Sequence, residues 1–171
     1  MVPEDMDKNI VLIGLMGSGK SMIARELGKR LKVPVVATDD LVEAREGEAI
    51  HEIFKSKGEA YFRNLESEII KEVSLRRGIV IDCGGGAVLR KENLQHLKGN
   101  GIVFYLQATP QVIYQRIKNE EHRPLLKAPD PLGRIKELHQ QRLPLYNQAH
   151  YTIDANDASI EGPVVEILKK I

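Results

Sequence analysis

Among its 171 residues the sequence has one cysteine, Cys83, and no tryptophan. A single thiol excludes an intramolecular disulfide and any cysteine-based zinc site, and it suits a reducing compartment, so the cytoplasm is expected. Long apolar runs are also missing. The longest, Ile10 to Met16, is strand-length and interrupted by Gly14, far short of the roughly 20 residues a membrane span requires. No excess of one charge exists either: Lys+Arg 25 against Asp+Glu 24 leaves +1. That balance excludes a disordered acidic tail and a polybasic nucleic-acid binder, so neither nucleic acid nor membrane is expected as a partner. The stretch Met1 to Asn9 is acidic and polar, which is not the pattern of a secretory leader. His51, His96, His122, His139 and His150 have no metal-ligand spacing and are expected at the surface or at caps. Cys83, at the end of an apolar run, is expected as a small core residue.

What is present is one domain's worth of chain, residues 1–171, enough to bury roughly two-thirds of its unfolded surface. Five short apolar runs read as strands: Ile10–Ile13, Val33–Val36, Ile79–Ile81, Ile102–Leu106 and Tyr151–Ile153. The first and fourth are apolar on both faces, as a buried parallel sheet demands. Between them lie helical faces at Ile23, Leu27 and Leu31, at Ile50, Ile53 and Phe54, and at Phe62, Leu65, Ile69 and Val73, with further helices over Leu132–Tyr146 and Ile160–Ile171. Strand and helix alternate, which predicts an α/β fold, a three-layer αβα arrangement with a five-stranded parallel sheet between helices. Acceptor-binding helices are expected over about 40–75, and residues 115–131, crowded with charge and proline, are expected to form an exposed mobile lid.

Directly after the first strand comes Gly14-Leu15-Met16-Gly17-Ser18-Gly19-Lys20-Ser21, matching G-x-x-x-x-G-K-[ST] and opening onto a helix. Glycines let successive backbone N–H groups turn inward around a phosphate at the positive end of a helix, a lysine reaches the β and γ oxygens, and a serine hydroxyl can ligate Mg²⁺. ATP is therefore expected on Gly17, Ser18, Gly19, Lys20, Ser21 and Met22, with Lys20 catalytic. No N-K-x-D guanine signature occurs, and the chain is too short for a switch apparatus with extra domains, so a small kinase is favoured over a GTPase. Its acceptor must sit outside the carboxyl ends of the strands. There the sequence offers Asp39 and Asp40, of which Asp39 is expected to orient or deprotonate a hydroxyl and Asp40 to cap a helix. It also offers Gly84-Gly85-Gly86, where a ligand can approach bare backbone, and Arg63 with Glu66 three residues on, and Arg142. Two arginines converging on one anion, beside glycine backbone and an aspartate, would select a small acceptor bearing a carboxylate and hydroxyls.

Taken in order, the phosphate loop, Thr38-Asp39, Phe62-Arg63-Asn64-Leu65-Glu66, Gly84-Gly85-Gly86, Arg123-Pro124-Leu125-Leu126 and Arg142-Leu143-Pro144-Leu145-Tyr146 make the chain resemble shikimate kinase from about Asn9 to Ile171. The resemblance implies a sheet of nucleoside-monophosphate-kinase type, strand order 2-3-1-4-5, and ATP-dependent phosphorylation of the shikimate 3-hydroxyl, a step towards chorismate and the aromatic amino acids. It implies that Asp39 activates the hydroxyl and that Arg63 and Arg142 bind the carboxylate. Glu66 would orient the arginines, and Gly84, Gly85 and Gly86 would line the pocket. Arg123 would close onto the transferring phosphate, and Arg116 would lie against adenine. A monomer is expected. One position departs: the family has Asp-Thr-Asp or Asp-x-Asp where this chain has Ala37-Thr38-Asp39. With that first carboxylate missing, Ser21 is expected to bind Mg²⁺ directly and Asp82, where the family has Ser or Thr, to hold it through water. The competing readings are a gluconate-type or nucleoside-monophosphate kinase, against which the glycine triplet and the two arginine motifs argue, and a decayed paralogue that binds ATP without transferring phosphate.

Overall fold

The computed structural model describes residues 6–171, so part of the Met1–Asn9 stretch lies outside the described residues. Strands β1 (Asn9–Ile13), β2 (Val35–Ala37), β3 (Val80–Asp82), β4 (Gly101–Gln107) and β5 (Tyr151–Asp154) make one sheet of order β2-β3-β1-β4-β5. Every pairing is parallel. Helices α1 (Lys20–Leu31), α2 (Thr38–Glu46), α3 (Ile50–Lys57), α4 (Glu59–Ser74), α5 (Lys91–Asn100), α6 (Pro110–Ile117), α7 (Pro131–Tyr146) and α8 (Glu161–Leu168) supply the crossovers and flanks.

The alternation of side chains along a strand decides which helices cover which face. On β1, Ile10 and Leu12 join Ile23, Leu27, Val164 and Ile167 in one apolar cluster, so α1 and α8 lie on that side. Val11 and Ile13 point the other way, into a larger cluster with residues of α4, α5, α6 and α7. β1 is buried along its whole length, which is why it carries no polar alternation. Its neighbours are β3 on one side and β4 on the other. The chain leaves β1 for β2 on one side and later crosses from β3 to β4 on the other, so the strand order reverses at β1, where a crevice is expected beyond the carboxyl end.

Several local expectations need correction. The second strand begins at Val35 rather than Val33; Pro34 has no N–H to give to a ladder, and its carbonyl accepts from Val80 N–H at 2.9 Å. Asp40 does not cap a helix: α2 starts at Thr38, its N-cap is Ala37, and Asp40 stands exposed in the first turn. There its charge complements the helix dipole instead. The segment read as a lid from 115 begins inside α6, which runs to Ile117. Thr109 and Pro110 give that helix a capping side chain and a pre-set first residue, a start signal in the sequence that the lid reading passed over. The exposed segment is 118–130, and within it Leu125 and Leu126, on a 3₁₀ turn over Pro124–Lys127, pack partly against the larger cluster.

Candidate active site

The phosphate loop joins β1 to α1, and its backbone is the reason for its glycines. Gly17 has φ +77°, and a Cβ there would stand 2.8 Å from the Ile117 side chain; only glycine meets both demands without strain. Lys20, 8% exposed, donates from Nζ to the carbonyls of Gly14 at 2.8 Å and Leu15 at 3.0 Å. Burial pushes its ammonium below the ordinary lysine range, while the negative Asp82 and Asp39 nearby oppose that shift. Ser18 Oγ is buried without a partner. Met22 is exposed, so any part it takes at the phosphates falls to its backbone N–H.

Ser21 Oγ donates to Asp82 Oδ2 at 2.6 Å. Asp82 closes β3, and Ala37 closes β2 directly beside it in register. A carboxylate on Asp82 thus stands one strand across from where one on residue 37 would stand, at the same level of the sheet. Ser21 and Asp82 form a hard-oxygen pair of the kind Mg²⁺ takes when phosphate oxygens and waters complete its shell. No cluster of three or more His, Cys, Asp or Glu able to hold a metal occurs among the described residues.

The glycine turn after β3 is where the acceptor residues converge. A Cβ on Gly84 would stand 2.5 Å from Asp39 Oδ1 and 3.2 Å from Glu66 Oε2, and one on Gly86 would stand 2.5 Å from both terminal nitrogens of Arg63. The bare backbone is thus already taken up by the chain's own Asp39, Glu66 and Arg63 side chains, a reason for glycine that differs from the ligand approach read from sequence. Arg142, from α7, brings a guanidinium nitrogen to 3.6 Å from the Cβ position of Gly85. Arg63 and Arg142 therefore flank consecutive peptides of one turn.

Arg63 and Glu66 were legible as a pair at helical spacing, and the structure buries Glu66 and half-buries Arg63. Glu66 is 1% exposed, and its Oε1 accepts from Arg63 at 2.7 Å. Glu66 Oε2 has no hydrogen-bond partner, and Arg63 Nε has none beyond an ion pair with Glu59 Oε1 at 3.5 Å; under-satisfied buried polar atoms at one place mark a site built for something polar. Burial pushes the Glu66 carboxyl up, against the pull of Arg63. It also pushes the Asp39 carboxyl up, with Lys20 opposing and Asp82 reinforcing, which moves it towards the range of a working base.

Arg116 reaches across the phosphate loop to the segment after β5. Arg116 sits in the last turn of α6 and donates to four carbonyls, Gly17 and Ser18 at 3.3 Å and Ala155 and Asp157 at 2.7 Å. It joins the phosphate loop to the segment after β5. A groove of about 300 Å³ opens there, lined by Arg116, Val112, Asn156 and Ala158 among others. Arg123 is paired through Nε with Glu120 on the exposed segment. Cys83 is fully buried, and burial pushes its thiol well up, so it packs as the core residue expected.

Two residues inside the quoted motifs act at the site although the sequence assigned them no role. Thr38 Oγ1 accepts from Gly84 N–H at 3.0 Å and so ties α2 to the glycine turn. Tyr146 donates its hydroxyl to Gly85 O at 2.6 Å. Tyr146 ends the Arg142-Leu143-Pro144-Leu145-Tyr146 motif, and its spacing four residues after Arg142 places both on one helical face.

The profile of the family described as shikimate kinase matches residues 16–171. The chain is 43% identical to shikimate kinase of Thermodesulfovibrio yellowstonii over 163 residues, covering 95% of this chain and 94% of that one. It is 45% identical to shikimate kinase of Symbiobacterium thermophilum over 166 residues, covering 95% of each. Among solved structures, shikimate kinase from Acinetobacter baumannii in complex with shikimate superposes with a TM-score of 0.90 at 35% identity, over 95% of this chain and 92% of that one.

Proposed function

We infer the activity from the family: this chain belongs to the shikimate kinases, and it moves the γ-phosphoryl group of ATP to the 3-hydroxyl of shikimate, leaving ADP and shikimate 3-phosphate. The observation that carries the residue assignments is the meeting of Asp39, the Arg63–Glu66 pair and Arg142 on one glycine turn at the end of β3. Asp39 accepts the hydroxyl proton as the oxygen bonds to phosphorus. Arg63 and Arg142 hold the acceptor carboxylate, and Glu66 keeps Arg63 aimed. Lys20 leaves the carbonyls of Gly14 and Leu15 for the phosphate oxygens, where charge develops as the β–γ bridge breaks. Arg123 gives up Glu120 to reach the same oxygens as the 118–130 segment closes. Arg116 presents a flat cation to adenine. One domain serves the reaction, and because every residue named comes from one chain, a monomer suffices. The single buried thiol accords with a cytoplasmic setting.

An ADP-release assay offering shikimate, gluconate and nucleoside monophosphates separately tests the assignment. ADP is expected with shikimate alone. Release with gluconate or a nucleotide would move the chain to another acceptor class, and ATP binding without release on any acceptor would make it a binding module.

The Ser21–Asp82 pair would hold Mg²⁺, Ser21 directly and Asp82 through water, and the ion would supply neutralisation of the phosphate charge. Asp82→Ala is then expected to lower kcat by about 10–100-fold and to raise the Mg²⁺ concentration needed for half activity. Adding Ala37→Asp should restore much of both, since the two positions are register partners. Full activity of Asp82→Ala at low Mg²⁺ would remove Asp82 from the metal site.

A further inference from the structure

Tyr146 closes α7 with no exposed surface. Its ring stacks on Tyr105 at 4.9 Å between centroids and 13° between planes. Tyr105 lies opposite Ile13 in the β1–β4 register, the residue at which β1 runs into the phosphate loop. The hydroxyl of Tyr146 reaches the glycine turn, on Gly85 O at 2.6 Å. One turn earlier on the same helix is Arg142, whose guanidinium also faces Gly85. The phosphate loop approaches Gly85 as well: the same Cβ position would lie 3.4 Å from Met16 N and 3.6 Å from Gly14 O.

In a trans peptide the carbonyl and the following N–H point in opposite directions. A hydrogen bond that fixes the Gly85 carbonyl therefore fixes the direction of the Gly86 N–H, in a run of glycines with no side chains to hold it. The turn's other hydrogen bonds, Gly84 N–H on Thr38 Oγ1, Ala87 N–H on Gly84 O and Leu89 N–H on Gly86 O, leave the Gly85 carbonyl to Tyr146. We propose that Tyr146 is a positioning residue for the acceptor: its hydroxyl holds the Gly85–Gly86 peptide so that Arg63, Arg142 and the phosphate loop keep one mutual geometry. This rests on the assignment of the glycine turn to the acceptor made above. Tyr146 touches no reacting atom; it acts through Gly85. Burial pushes its hydroxyl up to about 12, with Arg142 opposing, so the donor proton is present throughout neutral pH and the effect is independent of pH there.

Tyr146→Phe keeps the ring on Tyr105 and removes the hydroxyl, leaving the Gly85 carbonyl without a partner and taking a neighbouring acceptor from Arg142. Its shikimate KM is expected to rise about tenfold, a change of about 1.4 kcal/mol, while the ATP KM stays within about twofold of wild type. Tyr105→Phe, which retains the stack and removes no bond to the turn, should move neither constant. Hydrogen exchange at residues 84–87 of the acceptor-free protein should accelerate in Tyr146→Phe and not in Tyr105→Phe. That readout needs no acceptor, so it tests the anchor even if shikimate proves to be the wrong substrate. Unchanged exchange would overturn the anchor. Faster exchange with an unchanged shikimate KM, or with both KM values rising together, would reduce Tyr146 to packing and overturn the positioning role.

Discussion

Asp39→Asn is expected to lower kcat by about 10²–10⁴, the usual loss when a positioned proton acceptor is removed, and at the same time to raise the melting temperature at neutral pH. The second effect follows from the carboxyl being pushed above its ordinary value by burial. Between the ordinary value and the raised one, the folded chain holds a proton that the unfolded chain has released, so wild-type stability falls as pH rises through that window. Below the window both states are protonated and the cost is absent; above it the folded chain must carry a buried negative charge. Asparagine never ionises, so its advantage should be small in acid and grow as pH rises through the window, at roughly 2–4 °C per kcal/mol for a chain of this size. Thermal melts of both proteins across that range, alongside kcat, check both halves. A variant no more stable than wild type at neutral pH would mean that Lys20 compensates the burial of Asp39 fully, and an undiminished kcat would remove Asp39 from proton transfer.

Arg142→Ala is expected to raise the shikimate KM by about 30- to 5,000-fold, corresponding to roughly 2–5 kcal/mol for a desolvated ion pair broken on one side, with little change in the ATP KM. Arg63→Ala should do the same and additionally lower stability, because it leaves Glu66, 1% exposed, with neither carboxylate oxygen paired. The contrast between the two variants separates carboxylate binding from structural pairing. If both constants rise equally in Arg142→Ala, the arginine supports the fold of the turn and does not read the acceptor.

What could be read from residues alone was the chemistry confined to a few consecutive positions. The phosphate loop carries its whole geometry in eight residues, and the buried strands announce themselves by unbroken apolar runs, so loop, sheet and fold class were legible. Asp82 could be placed beside the loop because parallel topology puts neighbouring strand ends together, and Ser21 does lie 2.6 Å from it. Asp40 looks like a cap for a helix starting at Leu41, whereas α2 begins three residues earlier, at Thr38, without any side-chain cap. α5 escaped notice because few of its residues are buried apolar ones, chiefly Leu94 and Leu97, too sparse for a helical stripe. Tyr146 and Thr38 act on glycines 61 and 46 residues away. No spacing rule reaches that far, and only the folded chain brings the partners together.

Arg116 has a consequence for how a nucleotide would be received. Four carbonyls occupy the rim of its guanidinium, and hydrogen bonds of that kind lie in the plane of the group, leaving its two faces without polar partners. A free arginine loses about 2 kcal/mol of rotamer entropy when it is ordered against a ligand; here that ordering is complete before any base arrives. A purine laid on the plate therefore meets a surface that gains contact without losing freedom. Because a π face is sequence-blind, the plate would contribute affinity for a flat base while leaving the distinction between adenine and guanine to groups at the base's edge, among which the Asn156 side chain on the same groove is already committed to Thr109 N–H and Asp154.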